Sequence, residues 1–209
     1  MTTLVALRAS GFFAELLAGM AVNLWIAAVA LAVGFGLGLP LALLQLAGRR
    51  QRWLAGALLG PMRAAPTFVV MFFLLNVIPP DATILGLPSA PSPRLIVALS
   101  LVPYAAAYVA DNGREALLQL RRGAGEAALL FLPNLMRAFL VLVMSSGAGA
   151  AIGVSEGVAV ILREAERWPT LADKLVVFAS GVACFGFVFQ TGFALVRLAR
   201  RRLALAHAA

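Results

Sequence analysis

Four ionisable side chains lie inside stretches of the sequence that are otherwise apolar. Arg63 occurs in GPMRAAPTFVVMFF, and Asp111, Arg114 and Glu115 occur in AAYVADNGREALLQL. On a helix, spacings of three and four residues place Asp111 beside both Arg114 and Glu115. Two interpretations remain open: a neutralised Asp111–Arg114 ion pair with a structural role, or a polar strip that faces a central cavity.

The composition indicates an integral membrane protein. Hydrophobic residues make up 62% of the 209 residues and charged residues 12%, and the mean hydropathy is +0.96. A soluble domain has about 45–50% apolar and about 25% charged residues. The net charge of +8 would favour nucleic acid as a partner of a soluble chain. Here the arginines stand at the ends of apolar runs, which indicates membrane topology and no nucleic acid.

Five stretches are long enough to form transmembrane helices, which need roughly 20 mostly apolar residues to cross about 30 Å of hydrocarbon. The predicted spans are residues 21–47, 53–78, 95–120, 132–150 and 175–196. An outer-side N-terminal segment, residues 1–20, precedes them. The expected fold class is therefore all-α integral membrane, with residues 1–209 forming a single transmembrane domain.

Arginines mark one side of the predicted membrane domain, because they follow the first, third and fifth spans. They are Arg49, Arg50, Arg52, Arg121, Arg122, Arg197, Arg200, Arg201 and Arg202. The positive-inside rule places these ends in the cytoplasm. The N-terminus is then outside and the C-terminus is cytoplasmic, as an odd number of spans requires.

Two further features concern packing and the outer surface. Gly34 and Gly38 form a small-xxx-small pair that favours close approach of another helix, although glycine is also simply common in membrane helices. Residues 152–170 begin apolar and become charged before Pro169. We expect this segment to form a short helix that lies at the outer surface.

The sequence lacks the residue patterns of an enzyme. It contains no GxxxxGK[ST] phosphate loop, and its single lysine, Lys174, lies on the predicted outer side. No nucleophile, base and orienting group can be assembled into a catalytic set, and no Cys/His cluster suggests a metal. We therefore expect no catalytic residue, metal or cofactor in this chain.

Several motifs, in the same order, resemble those of a known family. MRAAP (62–66) occupies the place of a Phe-Arg-Gly-Thr-Pro stretch, and AAYVADNGRE (106–115) that of AAYxAExxRGG. LPNLMRAF (132–139) and IGVSEG (152–157) match an LPxxxNxF run and IGVxEL. The chain resembles the membrane permease subunit of ABC importers for polar amino acids, of the histidine/glutamine/arginine type. The likeness covers roughly residues 10–200 and implies the type I ABC importer permease fold.

Several polar positions of the family are changed. Family members usually carry Lys-Asp-Thr-Ser in helix four, where this chain has MSSG (144–147), and Arg137 stands where asparagine is common. The glycine and threonine of the helix-two motif are Ala64 and Ala65. The candidate residues of a substrate pathway are Arg63, Asp111, Arg114, Ser145 and Ser146.

The loop after the third span departs most from the family. There the EAA stretch continues through a glycine and a basic segment to a first LP, and this piece forms the coupling helix that seats in a cleft of the ATPase subunit. Here GEAALLF (125–131) runs directly into the second LP. About twenty residues, roughly 30 Å of helix, are missing. The residual coupling loop consists of Gly125, Glu126, Ala127 and Ala128.

The resemblance implies a transmembrane permease subunit of an ATP-driven importer for amino acids or similar small polar solutes, in the bacterial cytoplasmic membrane. It would be the degenerate half of a heteromeric pair whose partner carries the coupling to ATP hydrolysis. The implied partners are a second permease, ATPase subunits that bind ATP and Mg²⁺, an extracytoplasmic binding protein and the lipid bilayer. Candidate docking residues for the binding protein are Glu156, Arg163, Glu164, Glu166 and Arg167. The alternative is a non-transporting receptor or assembly subunit derived from a permease.

Overall fold

The structure is a computed structural model that describes residues 3–79, 83–84, 87–88 and 91–208. Asp81, which lies in the sequence between the second and third predicted spans, is outside these residues. The helices are α1 (Thr3–Ala9), α2 (Phe12–Leu46), α3 (Arg49–Ala64), α4 (Thr67–Val77), α5 (Pro93–Arg121), α6 (Gly125–Ala128), α7 (Phe131–Ser145), α8 (Gly157–Glu166) and α9 (Leu171–Ala208). A 3₁₀ helix (Ser146–Ile152) follows α7, and two short antiparallel strands, β1 (Thr83–Ile84) and β2 (Leu87–Pro88), lie between α4 and α5.

Within the described residues, four helical segments are long and apolar enough to cross a membrane. They are Phe12–Leu46, Pro93–Arg121, Gly125–Ile152 and Leu171–Leu195. The pair α3 and α4 passes the same test together, which raises the number to five if the pair counts as one span. The predicted helical fold with apolar helices of membrane-spanning length is confirmed, apart from the two short strands, and the exact number of spans and their orientation stay predictions.

The predicted second span, residues 53–78, is wrong as one continuous helix. It is divided into α3 and α4, which meet at an angle of 95°. The break falls at Ala65 and Pro66, both of which have extended backbone. Proline disfavours helical geometry for the residue before it and supplies no N–H for an intrahelical bond. The Ala-Ala-Pro sequence therefore ends α3 and starts a new helix in a different direction.

The first helix also begins earlier than predicted. α2 starts at Phe12 rather than at residue 21, so the proposed outer-side segment of residues 1–20 contains α1 and the first nine residues of α2. The helix starts early because apolar side chains of its first turns are buried against other helices. Leu7, Phe12 and Leu16 pack with Val160 of α8 and Val177 of α9 in an apolar cluster.

The centre of the molecule is the close packing of α2 against α5. A Cβ atom built on Gly38 would lie 2.5 Å from the carbonyl oxygen of Ala106, and one built on Gly34 would overlap the side chain of Ala105. Only glycine permits this separation of the two backbones. The small-xxx-small pair therefore lies at a helix interface, and the main apolar core, which includes Ile26, Ala30, Val97, Leu101 and Leu142, surrounds it.

α8 packs one of its faces against the rest of the molecule. Gly153, with a φ of +80°, ends the 3₁₀ helix and redirects the chain toward α8. Glu156 then caps the N-terminus of α8, and the buried face of that helix contains Val160, Ile161 and Ala165. α8 packs against both α2 and α9. Within 152–170 the α-helix is limited to Gly157–Glu166, with one face packed against the protein and the other exposed; its position at the outer surface stays a prediction.

Candidate functional site

Arg63 and Asp111 form a bidentate ion pair between α3 and α5. The Arg63 Nε donates to Asp111 Oδ2 at 3.0 Å, and Nη2 donates to Oδ1 at 2.5 Å. The two side chains are 46% and 44% exposed. Arg63 is the penultimate residue of α3, so the pair lies beside the 95° break. The planar guanidinium matches both carboxylate oxygens, which fixes the end of α3 to the middle of α5.

The Asp111–Arg114 ion pair, one of the two interpretations of these residues, does not occur in the structure. Arg114 is partly exposed, and no carboxylate lies within 4 Å of it in the part of the chain that the structure describes. Glu115 accepts instead a hydrogen bond from Gln119 at 2.8 Å. Because the span is broken, Arg63 lies over the face of α5 that carries Asp111. The Asp111 carboxylate therefore binds the guanidinium of Arg63 from a neighbouring helix instead of that of Arg114, one turn away on α5. The break itself is the feature that the sequence spacing does not reveal.

A second polar link joins α5 to α7. Asn134 Nδ2 donates to Asn112 Oδ1 at 2.9 Å, and Asn112 Nδ2 donates to the Tyr108 carbonyl at 2.9 Å. All three residues are partly buried. Asp111 and Asn112 are therefore adjacent residues that hold two different helices on the two sides of α5.

A third polar cluster is fully buried, and its central residue was missed by sequence reasoning. Asn23 of α2 donates through Nδ2 to Ser146 Oγ and to Glu156 Oε2, both at 2.7 Å. Its Oδ1 accepts from the Gly157 N–H at 2.8 Å. Asn23, Ser146 and Glu156 each have 0% exposure. This cluster, which we call the Asn23 cluster, joins α2, the 3₁₀ helix and α8. The signal for it was a lone amide in the apolar stretch GMAVNLWIAA.

In addition to its hydrogen bond with Asn23, the Glu156 side chain caps the N-terminus of α8. Its Oε2 accepts from the Val158 N–H and its Oε1 from the Ala159 N–H, each at 2.8 Å. Burial raises the pKa of Glu156 above its ordinary value because the charged form is desolvated, and the hydrogen bonds from Val158, Asn23 and Ala159 oppose that rise. The side chain is thus a structural cap in the interior.

This burial corrects two expectations. Glu156 cannot meet a binding protein at the surface, and Ser146 cannot contact a passing solute, because both side chains are enclosed by the Asn23 cluster. Ser145, in contrast, is partly exposed at the end of α7. Of the two serines, only Ser145 is placed where a solute could touch it.

The other docking candidates divide between the two faces of α8. Arg163, Glu166 and Arg167 are exposed. The side chain of Glu164 is only 7% exposed, and it accepts hydrogen bonds from Arg167 Nη1 at 2.8 Å and from Trp168 Nε1 at 3.2 Å. Glu164 therefore anchors the end of the helix, and the exposed charges that could contact another protein are the remaining three.

The segment predicted to be a residual coupling loop contains a single helical turn. Nine residues, 122–130, connect α5 to α7, and of these only Gly125–Ala128 are helical as α6. An apolar cavity of about 610 Å³ lies beside it, with Gly125, Glu126 and Ala128 in its wall together with Leu39 and Phe131. The connection contains no helix long enough to project from the membrane domain.

Groups of three or more His, Cys, Asp or Glu side chains suited to a metal ion do not occur among the described residues.

No protein-family model and no curated protein matches the chain. Two solved structures share its fold. One is a chain from the crystal structure of an amino acid ABC transporter with histidines, with a TM-score of 0.71 at 16% identity, over 97% of this chain and 99% of that one. The fold is that of an ABC transporter permease. The other is a chain of the MetNI methionine ABC transporter in an inward-facing conformation, with a TM-score of 0.61 at 20% identity, over 89% of this chain and 96% of that one.

The similarity in fold extends over 97% of the chain, a share that includes the α3–α4 pair and α8. The resemblance on the sequence motifs and the likeness of the structures agree on this fold. At these levels of identity the likeness concerns the fold, and the residues at the candidate site have to be judged by their own chemistry.

Proposed function

We propose that this chain is a membrane permease subunit of an ATP-driven ABC importer for amino acids or similar small polar solutes, in the bacterial cytoplasmic membrane. The permease fold over 97% of the chain supports the transport role. The solute class is supported by the two similar structures, whose transporters are named for amino acids and for methionine.

The half-exposed Arg63–Asp111 pair is the proposed contact for a solute. An amino acid carries a carboxylate and an ammonium group, and these match a guanidinium and a carboxylate that stand 3.0 Å apart or less. Because both side chains are nearly half exposed, a solute could exchange partners with the pair at a modest electrostatic cost. Arg114 and Ser145, both partly exposed, are the proposed neighbours on the same route.

The observation that carries the proposed assembly is the nine-residue connection between α5 and α7. ATP-driven motion needs a mechanical link between the ATPase and the spans, and a four-residue turn cannot reach into a cleft outside the membrane domain. A homodimer of this chain would have no such link at all. We therefore propose a heteromer in which a second, complete permease couples to ATPase subunits that bind ATP and Mg²⁺. An extracytoplasmic binding protein would dock near the exposed Arg163, Glu166 and Arg167.

Capture of the ATPase tests this assembly. The chain is expressed with the ATPase alone, or with the ATPase and the complete permease, and the ATPase that co-purifies is quantified. We expect stoichiometric capture only when the complete permease is present. A matched variant, in which the partner's coupling segment is inserted after Ala128, should capture ATPase without the partner. Stoichiometric capture by the unmodified chain alone would contradict the proposal.

The short connection also favours a second candidate function, a non-transporting receptor or assembly subunit. Such a subunit would bind the second permease or the binding protein without lining a solute route. The two candidate functions predict different effects of Asp111→Asn. This substitution should lower uptake by the assembled complex only if this chain contributes to the solute route.

A further inference from the structure

The apolar cavity beside α6, here called the α5–α7 cavity, lies between the long helices and is partly open to its surroundings. Its volume is about 610 Å³, and small-molecule sites in proteins span about 300–1,000 Å³. The inner wall is apolar and includes Leu39 of α2, Leu117 of α5 and Phe131 of α7. Among the wall residues that the structure describes, Glu126 is the one with a charge, and it is exposed. The size and the wall of the cavity suit a flexible hydrocarbon chain.

The α5–α7 cavity reaches from a membrane boundary into the apolar layer. The candidate span of α5 ends at Arg121 and the next one begins at Gly125, so the turn between them, residues 122–124, lies at the boundary. Leu120 and Gly125, on the two sides of this turn, both belong to the cavity wall. So does Gly113, which precedes Arg121 by eight residues, or about 12 Å of helix. Half of the hydrocarbon core is about 15 Å thick, so the inner part of the cavity lies at the depth of lipid tails.

Two arginines stand at the mouth of the cavity, directly after Leu120 of its wall. Arg121 and Arg122 are exposed, and no carboxylate lies within 4 Å of either guanidinium in the described part of the chain. Their turn has a fixed geometry, because Gly123 has a φ of +76° and its N–H donates to the Leu120 carbonyl at 3.0 Å. A left-handed glycine of this kind is a common end of a helix. The mouth therefore holds two cations against the single carboxylate of the wall.

The mouth and the inner wall match the two parts of an anionic phospholipid. A guanidinium binds phosphate oxygens in a bidentate manner, and basic pockets between transmembrane helices bind the head groups of anionic lipids. The acyl chain would lie along the apolar wall, at a depth that lipid tails already occupy. An acidic surface of a soluble protein would match the arginines, but it has no chain that could fill the cavity.

We propose that the α5–α7 cavity binds one anionic phospholipid of the surrounding leaflet. Its phosphate binds Arg121 and Arg122, and one of its acyl chains lies along Leu117 and Phe131. Glu126 weakens the site, because its carboxylate repels the head group. The bound lipid fills the space between α5 and α7 beside their short connection. This site does not depend on the proposed transport function.

The test counts the lipids that stay bound to the purified full chain in native mass spectrometry. The chain in detergent micelles is titrated with phosphatidylglycerol, or with phosphatidylcholine that has the same acyl chains. One basic residue near anionic lipid strengthens binding by about fivefold. Two arginines opposed by Glu126 should therefore bind the first phosphatidylglycerol molecule about fivefold more tightly than phosphatidylcholine.

Charge variants separate the cavity from the arginine-rich end of the molecule in general. The preference for phosphatidylglycerol should be lost when Arg121→Gln and Arg122→Gln are combined. It should rise to about 25-fold in Glu126→Gln, because the opposing charge is removed. Arg49→Gln combined with Arg50→Gln is the matched control and should keep the preference, since these arginines begin α3 and the wall belongs to α2, α5, α6, α7 and their connection.

A replacement inside the cavity tests the place of the acyl chain. Ala116 belongs to the wall, so Ala116→Phe should fill part of the cavity and weaken the binding of both lipids alike, with folding checked by far-UV circular dichroism. Free glycerol 3-phosphate, which has the head-group charge but no acyl chain, should not displace bound phosphatidylglycerol. The charge variants and this competition do not require that Ala116→Phe folds.

Four results would overturn the proposal. They are equal affinities of the wild type for the two lipids, unchanged lipid affinity in folded Ala116→Phe, displacement by glycerol 3-phosphate, and loss of the preference in the Arg49 and Arg50 control as large as that in the Arg121 and Arg122 variant. The last would show an effect of general surface charge. No readout involves ATPase or uptake, so failure here leaves the transport proposal to its own test.

Discussion

Replacement of Asn23 should weaken the packing of α8 against α2. The amide donates to Ser146 and Glu156 and accepts from Gly157, at 2.7, 2.7 and 2.8 Å. Asn23→Ala removes all three bonds and leaves the Gly157 N–H and one bond of the Glu156 carboxylate unsatisfied in a fully buried site. Because the cluster has 0% exposure, these groups are desolvated, so the loss should exceed that of a typical surface hydrogen bond.

The magnitude follows from the three bonds. Hydrogen bonds within membrane proteins contribute about 0.6 kcal/mol on average and about 1.7 kcal/mol at most, because the unfolded chain in the membrane also finds partners. Three bonds, one of them to a carboxylate, give a loss of about 2–5 kcal/mol. We expect Asn23→Ala to lower the free energy of unfolding by this amount.

The assay is SDS-induced unfolding of the purified chain in mixed micelles, followed by far-UV circular dichroism. Asn76→Ala is the matched control, since the Asn76 amide is exposed and, among the described residues, donates to the Phe72 carbonyl one turn earlier on α4. It should change the free energy of unfolding by less than about 0.5 kcal/mol. If Asn23→Ala is as mild as Asn76→Ala, the cluster does not hold α8 in place and the reasoning is refuted.

Three other predictions concern helix packing, pH and the solute route. Gly34→Val should cost about 1–3 kcal/mol, because the added atoms overlap Ala105. Gly36→Val, built where nothing lies within 4 Å, should cost less than half as much in the same unfolding assay, and equal costs would mean that α2 and α5 are not in close contact. Burial raises the pKa of Glu156 in the folded chain above the ordinary value of 4.5. At a pH between these two values, the Glu156 carboxyl group is mostly protonated in the folded chain and mostly ionised in the unfolded chain. The stabilisation from Glu156 is therefore complete below about pH 4.5 and is lost as the pH rises through the folded pKa; unfolding curves between pH 4 and 8 should show this slope, and Glu156→Gln should lack it. Asp111→Asn should lower uptake by the assembled complex several-fold with little change in the amount of folded chain, since a half-exposed pair contributes about 0–1 kcal/mol. Uptake at the wild-type rate in Asp111→Asn and in Arg63→Gln would remove the pair from the route.

The sequence predicts the fold class and most helices because long apolar runs alone determine where spans can lie. Residues 95–120 were predicted and Pro93–Arg121 observed, and the small-residue pair at Gly34 and Gly38 lies at the predicted kind of interface. A hydropathy profile does not show where a helix changes direction. The 95° break at Ala65–Pro66 leaves the run apolar on both sides, so it reads as one continuous span.

The candidate site was predicted less well because side-chain partners depend on which helices meet. Asp111 was identified as a polar residue in a span, but its partner comes from another helix, 48 residues away in sequence. Asn23 is uncharged, and its side-chain partners Ser146 and Glu156 lie 123 and 133 residues further along the chain. The sequence alone therefore does not indicate that these residues meet. Glu156 and Glu164 were interpreted as surface charges because α8 is amphipathic, and amphipathicity does not distinguish a lipid-facing surface from a protein-facing one.

ATP-driven uptake in proteoliposomes would show whether this chain works as one half of a coupled heteromeric importer. The vesicles contain this chain, the complete permease, the ATPase and the binding protein, and uptake of radiolabelled amino acid is measured with ATP inside. We expect uptake that requires both permease chains and that stops when the coupling helix is removed from the complete permease. Uptake by this chain and the ATPase without the complete permease would contradict it, and so would undiminished uptake after the partner's coupling helix is removed.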